Sequence, residues 1–369
     1  MSEQKEMECK EHKEHKGKKR HKEAGDDNEK MLIKEIAEDT LTLLNRRYPE
    51  PAAILRGVHP KSHGCLSGSF VINQNIPESF QVGLFSEPGT RYEAVVRFSN
   101  ATTLVGCDLA GGNGSRGMAV KVMNVTGQVI EKGKEGKCQD FLMINTASFA
   151  FSNTEDYHRL TKILLANNDS PAEFFKPLQE EVPGISSEAK ARIFKSSQVL
   201  KEIAGKPVAN PLEVIYFGAA PFGFGADRVM RFSVHPRVAP ELQLPPDDPA
   251  PCDYLKDKLT ARMTESEPVV FDFKVQVRDA ANITDMEDAT SFWSEEETRS
   301  VTVATLTLNA PQAEVSSASQ RNACEKLVFT PWQALVEHKP LGSINRLRKK
   351  VYEASSDHRC PARGAKTAV

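Results

Sequence analysis

Apolar residues first recur at helical spacing in MLIKEIAEDTLTLL, between Glu29 and Tyr48, and this predicts an amphipathic helix. The next stretch, YPEPAAILRGVHPKSHGCLSG, is rich in Pro and Gly and reads as a loop. The period then drops to two. GSFVIN, YEAVVRFS, MAVKVMNV and QDFLMIN alternate as strands do. Helical spacing returns in TEDYHRLTKILLAN, PAEFFKPLQEE and SEAKARIFKSSQVLKEIAG. Strands follow at RVMRFSVHP, EPVVFDFKVQVRD and RSVTVATLTL, and the chain closes on a helix, SINRLRKKVYEASSDH. There are no repeats and no clean domain boundary. Many strands with helical insertions predict an α+β fold around one large antiparallel sheet or barrel.

Composition narrows the picture. The 369 residues suffice for one large domain or two modest ones, and 39% apolar with 27% charged residues is ordinary for a globular chain. A net charge of −2 implies no general attraction to nucleic acid or to an anionic membrane. No apolar run is long enough to span a bilayer. Residues 1–29 are a Lys/Glu/His tail with nothing to bury, expected to be disordered. The tail has no secretory apolar stretch, and the closing GAKTAV is not a peroxisomal address. Seven dispersed cysteines without a CxxC pair read as reduced thiols, which predicts a cytoplasmic protein.

Some motifs carry little. GGNGSRG at 111–117 contains GxGxxG, but a strand pattern follows where a dinucleotide site needs a helix. His12, His15 and His21 lack the surroundings that orient metal ligands.

Three distant segments concentrate chemistry. The first is Arg56-Gly-Val-His59-Pro-Lys-Ser-His63. The second is Val96-Arg97-Phe98-Ser99 with Arg116-Gly-Met-Ala-Val-Lys121. The third is Arg348-Lys-Lys-Val-Tyr352 followed by His358-Arg359. Singly, each also has a structural reading: a loop histidine bonded to backbone, an arginine at a sheet edge, a core tyrosine with its hydroxyl at the surface. Arg348 and Tyr352, four apart on a helix, share a face. A phenol ordinarily titrates near 10, so ionising it at neutral pH takes about 4 kcal/mol of differential stabilisation. A guanidinium one turn away, and a ferric ion, would both favour the phenolate.

In their order along the chain, RxxH, VRFS, RGxAxK and RxxxY resemble the motifs of the haem catalases and their shorter relatives, including coral-type allene oxide synthases. The resemblance runs from about Leu55 to Arg359. It implies an eight-stranded antiparallel barrel between about Gly68 and Leu308, with helical insertions and C-terminal helices. A haem domain over residues 30–360 and a short tail at 361–369 follow from it.

Ligation of haem iron by tyrosine is the general pattern in catalases, and the resemblance carries it to Tyr352, with Arg348 as the partner that stabilises the phenolate. It makes His59 the distal base and Ser99 its hydrogen-bonding partner. Arg56, Arg97 and Arg359 become the partners of the haem propionates, and Val58 and Phe149 apolar contacts to the macrocycle.

The chain also departs from that pattern. His63 competes with His59, although VHPKS matches the family's VHAKG best at His59. The distal asparagine is missing, and Gln139 or Asn145 stands nearest to its place, which counts against efficient hydrogen peroxide dismutation. The long N-terminal arm and the C-terminal helical domain of the large catalases have no counterpart.

The implied activity is cleavage of the O–O bond of hydrogen peroxide or of an organic or lipid hydroperoxide, the latter used at least as well and with a small reductant. The rivals are a fatty-acid hydroperoxide dehydratase, a haem sensor without turnover, and a haem-free barrel for apolar ligands. Neither the natural hydroperoxide nor the oligomeric state is legible.

Overall fold

A computed structural model describes residues 25–49, 55–109, 114–133, 136–206, 208–238 and 251–359. Helix α1 (Asp27–Arg47) buries Ile33, Ile36, Leu43 and Leu44, the stripe its periodicity marks. The Asp26 carboxylate caps it by accepting the Glu29 N–H at 2.9 Å. The helix therefore begins inside the stretch expected to be a charged tail, and Glu29 is anchored by Arg346 at 2.8 Å. The rest of that tail to residue 24, and residues 360–369, lie outside the described residues.

Among the described residues nine strands form one antiparallel sheet: β1 (Ser62–Ile72), β2 (Arg91–Asn100), β3 (Arg116–Met123), β4 (Cys138–Ile144), β5 (Tyr216–Phe217), β6 (Phe222–Gly223), β7 (Arg228–Pro236), β8 (Val269–Asp279) and β9 (Val301–Leu308). Their order is β5-β4-β3-β2-β1-β9-β8-β7-β6, and β5 also pairs with β7. That second pairing closes an eight-stranded barrel and leaves β6 as a flap on β7. Closure rests on two residues of β5: Phe217 faces Ile144 on one side, while Tyr216 and Phe217 face Val234 and Ser233 on the other. The expected barrel is thus present, but β5 and β6 escape sequence patterning because they are two residues long among glycines.

Alternation fills the barrel. Val96 and Phe98 of β2, Val120 of β3, Phe141 of β4, Phe232 of β7 and Phe273 of β8 point inward and are buried. Phe141 centres an aromatic group, its ring 4.6 Å from that of Phe273 and 4.9 Å from that of Phe232. The opposite face of β2, β3 and β4 therefore points outward, with Val95, Ala119 and Leu142 packing on Phe329.

Between β4 and β5 lies a helical excursion of α2 (Thr154–Ala166), α3 (Ala172–Phe175) and α4 (Ser187–Ala204). The helix expected across PAEFFKPLQEE is shorter. It ends at Phe175 and passes into a 3-10 turn containing Pro177, which has no N–H to donate. Two helices were not anticipated, α5 (Tyr254–Met263) and α6 (Ala318–Glu325). The chain ends in α7 (Ser343–Arg359), which packs with α1 through Ile33, Ile36, Ile344 and Leu347.

The cysteines depart from expectation. Cys65 of β1 is bonded to Cys324 of α6, and Cys107 to Cys252 before α5. Separations of 259 and 145 residues hid both pairs from spacing arguments. The expectation of reduced thiols is corrected, and with it the reason for a cytoplasmic placement. Cys138 is buried and takes part in neither disulfide. No helix among the described residues is long and apolar enough to cross a membrane.

Candidate active site

A cleft of about 1290 Å³, its mouth included, opens between the outer face of β2–β4 and the helices α1, α2 and α7. Nine of the residues singled out in the sequence line it together: Arg56, Val58, His59, Arg97, Ser99, Phe149, Arg348, Tyr352 and Arg359. Gln139 does not. Five arginines line the cleft, counting Arg47, and no carboxylate or carboxamide does among the described residues.

His59 stands on the barrel side. Its backbone adopts φ 61°, a conformation most side chains avoid. Two bonds hold it there: its N–H donates to Thr102 O at 2.9 Å, and its carbonyl accepts Arg97 Nη2 at 2.9 Å. The ring Nδ1 lies 3.0 Å from Ser99 Oγ. Ser99 faces Gly117 across β2 and β3, and a Cβ at Gly117 would overlap the imidazole and crowd Ser99 Oγ at 2.9 Å. Glycine at 117 is thus what gives the ring its place. Burial, then the charges of Arg97, Arg348 and Arg56, lower the His59 pKa to about 3, so the imidazole is neutral at physiological pH. In the tautomer that carries its proton on Nδ1, that nitrogen donates to Ser99 Oγ and Nε2 bears the lone pair.

His63 has another function. It is fully buried away from the cleft, its Nε2 2.9 Å from Asn100 Oδ1. Asn100 donates onward to Asp108 at 2.9 Å, and Asp108 pairs with Lys61 at 2.7 Å. Arg116 joins this network by donating to Asp108 O at 2.8 Å. Lys121 is likewise structural, paired with Asp140 at 2.7 Å on the buried outer face of the barrel.

Neither candidate for the missing amide enters the cleft. Gln139 Oε1 accepts the Leu335 N–H at 2.9 Å. Asn145 accepts the Arg116 N–H and donates to Gly114 O, both at 2.8 Å. β4 presents Leu142, Met143 and Ile144 instead, and Phe217, Ala219 and Ala220 extend that apolar wall.

The helical side carries the phenols. Arg348 lies over the ring of Tyr352, 5.4 Å from its centroid. It is placed by Asn345 Oδ1 at 3.1 Å, and Asn345 in turn donates to Pro221 O and Leu341 O at 2.9 and 3.0 Å. Tyr157 of α2 lines the same space and went unnoticed in the sequence, where it reads as one more aromatic on an apolar helix face. Burial, with Tyr352 nearby, raises its pKa to about 12, so it keeps its proton.

At one end Arg56, Arg97 and Arg359 meet around Glu325, a second residue the sequence did not flag. Glu325 accepts Arg56 Nε at 2.8 Å and Arg97 Nε at 2.9 Å, and its carbonyl accepts Arg359 Nη1 at 3.0 Å. Burial opposes its charge, but Arg97 and Arg56 outweigh that and hold its pKa below the usual carboxylate value. Burial and the neighbouring Arg56 bring Arg97 down to about 10.

No family model matches the chain, and no curated protein matches it. Solved structures do. A fungal catalase superposes with a TM-score of 0.64 at 15% identity, over 89% of this chain and 63% of that one. Catalase A from Saccharomyces cerevisiae gives 0.63 at 16% identity, over 88% and 64%. A bacterial catalase gives 0.63 at 17% identity, over 95% and 65%. The chain has the catalase fold and spans just under two thirds of the length of these structures.

Proposed function

We propose that the cleft holds haem and that the chain cleaves the O–O bond of a hydroperoxide there. The observation that carries this is the convergence in one cleft of a neutral His59 on the barrel side, Tyr352 beneath Arg348 on the helical side, and three arginines at one end. The residues fit the group. Guanidiniums suit two propionates, Val58, Ala119, Leu142, Phe149 and Val351 supply apolar walls, and Gly117 leaves room beside His59.

Tyr352 would hold the iron through its phenol oxygen, with the Arg348 guanidinium lying over its ring. When bound, haem supplies the iron centre at which O–O cleavage takes place. His59 Nε2 takes the proton from the bound hydroperoxide and gives it to the departing oxygen. Ser99 fixes the ring for both transfers.

The apolar wall, and the lack of a carboxamide among the described cleft residues, favour organic or lipid hydroperoxides, with a small reductant, over efficient hydrogen peroxide dismutation. The same observation favours a second reading, dehydration of a fatty-acid hydroperoxide without external reductant. Products separate them: a peroxidase leaves the alcohol, a dehydratase an allene oxide that hydrolyses to ketols. Fast hydrogen peroxide turnover with very poor use of cumene hydroperoxide would contradict both.

The first experiment is the absorption spectrum of protein expressed with haem, beside that of Tyr352→Phe. A high-spin ferric spectrum with phenolate character, lost in the variant, is expected. A colourless wild type would overturn the haem reading, and an unchanged variant would overturn the ligand.

A further inference from the structure

Glu325 is not among the cleft-lining residues, yet it touches all three arginines at the cleft's end. The side chains of Arg97 and Arg56 are only 4% and 12% exposed. Two guanidiniums this close repel each other strongly where water is scarce, and left alone one would swing out toward solvent. Glu325 prevents this by accepting one from each through different oxygens, Oε2 from Arg56 and Oε1 from Arg97.

A second nitrogen of each is assigned as well. Arg56 Nη2 donates to Leu327 O at 3.1 Å, and Arg97 Nη2 to His59 O at 2.9 Å. Nη1 of both arginines has no partner among the described residues, on guanidiniums that line the cleft. Arg359, the last residue of α7, is tied to the Glu325 carbonyl at the end of α6, where helix carbonyls lack partners of their own. The disulfide from neighbouring Cys324 to Cys65 anchors this point to β1. Three positive charges and one negative leave a net charge of two, which matches a ligand edge bearing two carboxylates.

We propose that Glu325 is a positioning residue, set behind the arginines, that aims Arg56 and Arg97 into the cleft as a receptor for two carboxylates. This rests on the haem reading, in which those carboxylates are the propionates. Glutamine at 325 would turn a donor toward one guanidinium and release it. Aspartate would keep the charge but lose the reach to both.

The test is titration of the apoprotein with haemin and with haemin dimethyl ester, followed by absorbance, for wild type, Glu325→Gln and Glu325→Asp. Thermal melts verify that each variant is folded. Haemin affinity is expected to fall at least tenfold in Glu325→Gln and several-fold in Glu325→Asp, while affinity for the ester changes less than twofold. Equal or tighter haemin binding in a folded variant overturns the proposal, as does an equal loss for both porphyrins. If Glu325→Gln does not fold, Glu325→Asp decides alone. A wild type that takes up neither porphyrin overturns the haem reading and this inference together. Uptake that the substitutions leave unchanged overturns this inference only.

Discussion

Ser99 Oγ and His59 Nδ1 lie 3.0 Å apart, on a strand and on a loop separated by 40 residues. The contact exists because β2 turns Ser99 outward between the inward Phe98 and Asn100, and because Gly117 on β3 presents no side chain. Ser99→Ala removes the group that orients the imidazole. Peroxide turnover is expected to fall about tenfold, part of the ~100-fold or more that a positioned acid–base group contributes, with haem uptake unchanged. Stopped-flow kinetics beside a haem titration check this; full activity in the variant would contradict it.

Gly117→Ala places a methyl group in the space of the His59 ring. Overpacking of this kind destabilises by about 1–3 kcal/mol, and activity should fall further than in Ser99→Ala because the base itself is displaced. Thermal melting and turnover measured on the same preparation separate the two effects.

Arg348 stacks on Tyr352 at 5.4 Å and is held by Asn345 at 3.1 Å. Arg348→Leu keeps bulk and removes charge. The haem-loaded variant is expected to lose phenolate character in its visible spectrum and more than tenfold in peroxide turnover. A spectrum identical to wild type would mean that the charge does not support the phenolate.

Burial holds His59 near 3 and both His63 and His338 near 4, all below the ordinary histidine value of 6.5. The unfolded chain therefore binds more protons below pH 6.5, and stability falls as pH drops from there toward 4. Each histidine kept neutral costs about 2 kcal/mol at pH 5. Turnover limited by the protonation state of His59 should instead be flat across this range. A melting temperature that does not fall between pH 7.5 and pH 5 would count against the buried neutral histidines.

The disulfides Cys65–Cys324 and Cys107–Cys252 account for four of the seven cysteines of the sequence, Cys9, Cys138 and Cys360 standing outside them. Titration in denaturant without reductant should find at most three. Removing the longer link by Cys324→Ser is expected to destabilise by about 2–5 kcal/mol, seen as a lower melting temperature. Seven titratable thiols would show that neither bond forms.

Much of the fold was legible because alternation and helical spacing are local. The long strands and the helices α1, α2, α4 and α7 declare themselves in windows of a dozen residues. The two-residue β5 does not, although it closes the barrel, since two residues have no period. Helix α6 was missed because its sequence, ASQRNACE, buries only Cys324 and so has no stripe to read. The cleft's residues were legible by resemblance in the order of their motifs, and the structure brings all but Gln139 to one place. Gln139 was misplaced because sequence says which residues lie near a position but not which hydrogen bond claims their side chain. Here the Leu335 N–H, far along the chain, claims it.

By itself, then, the sequence determined the alternating faces of the barrel strands, and with them the shared outward direction of Arg97 and Ser99, because side-chain direction in a strand depends only on parity. It also determined the helical partnership of Arg348 with Tyr352, which spans a single turn. Tertiary structure alone decided that His59 and not His63 opens on the cleft, that Glu325 stands behind three arginines, and that four cysteines pair. Those outcomes depend on contacts between segments 34 to 269 residues apart, and no local period encodes which distant partner arrives.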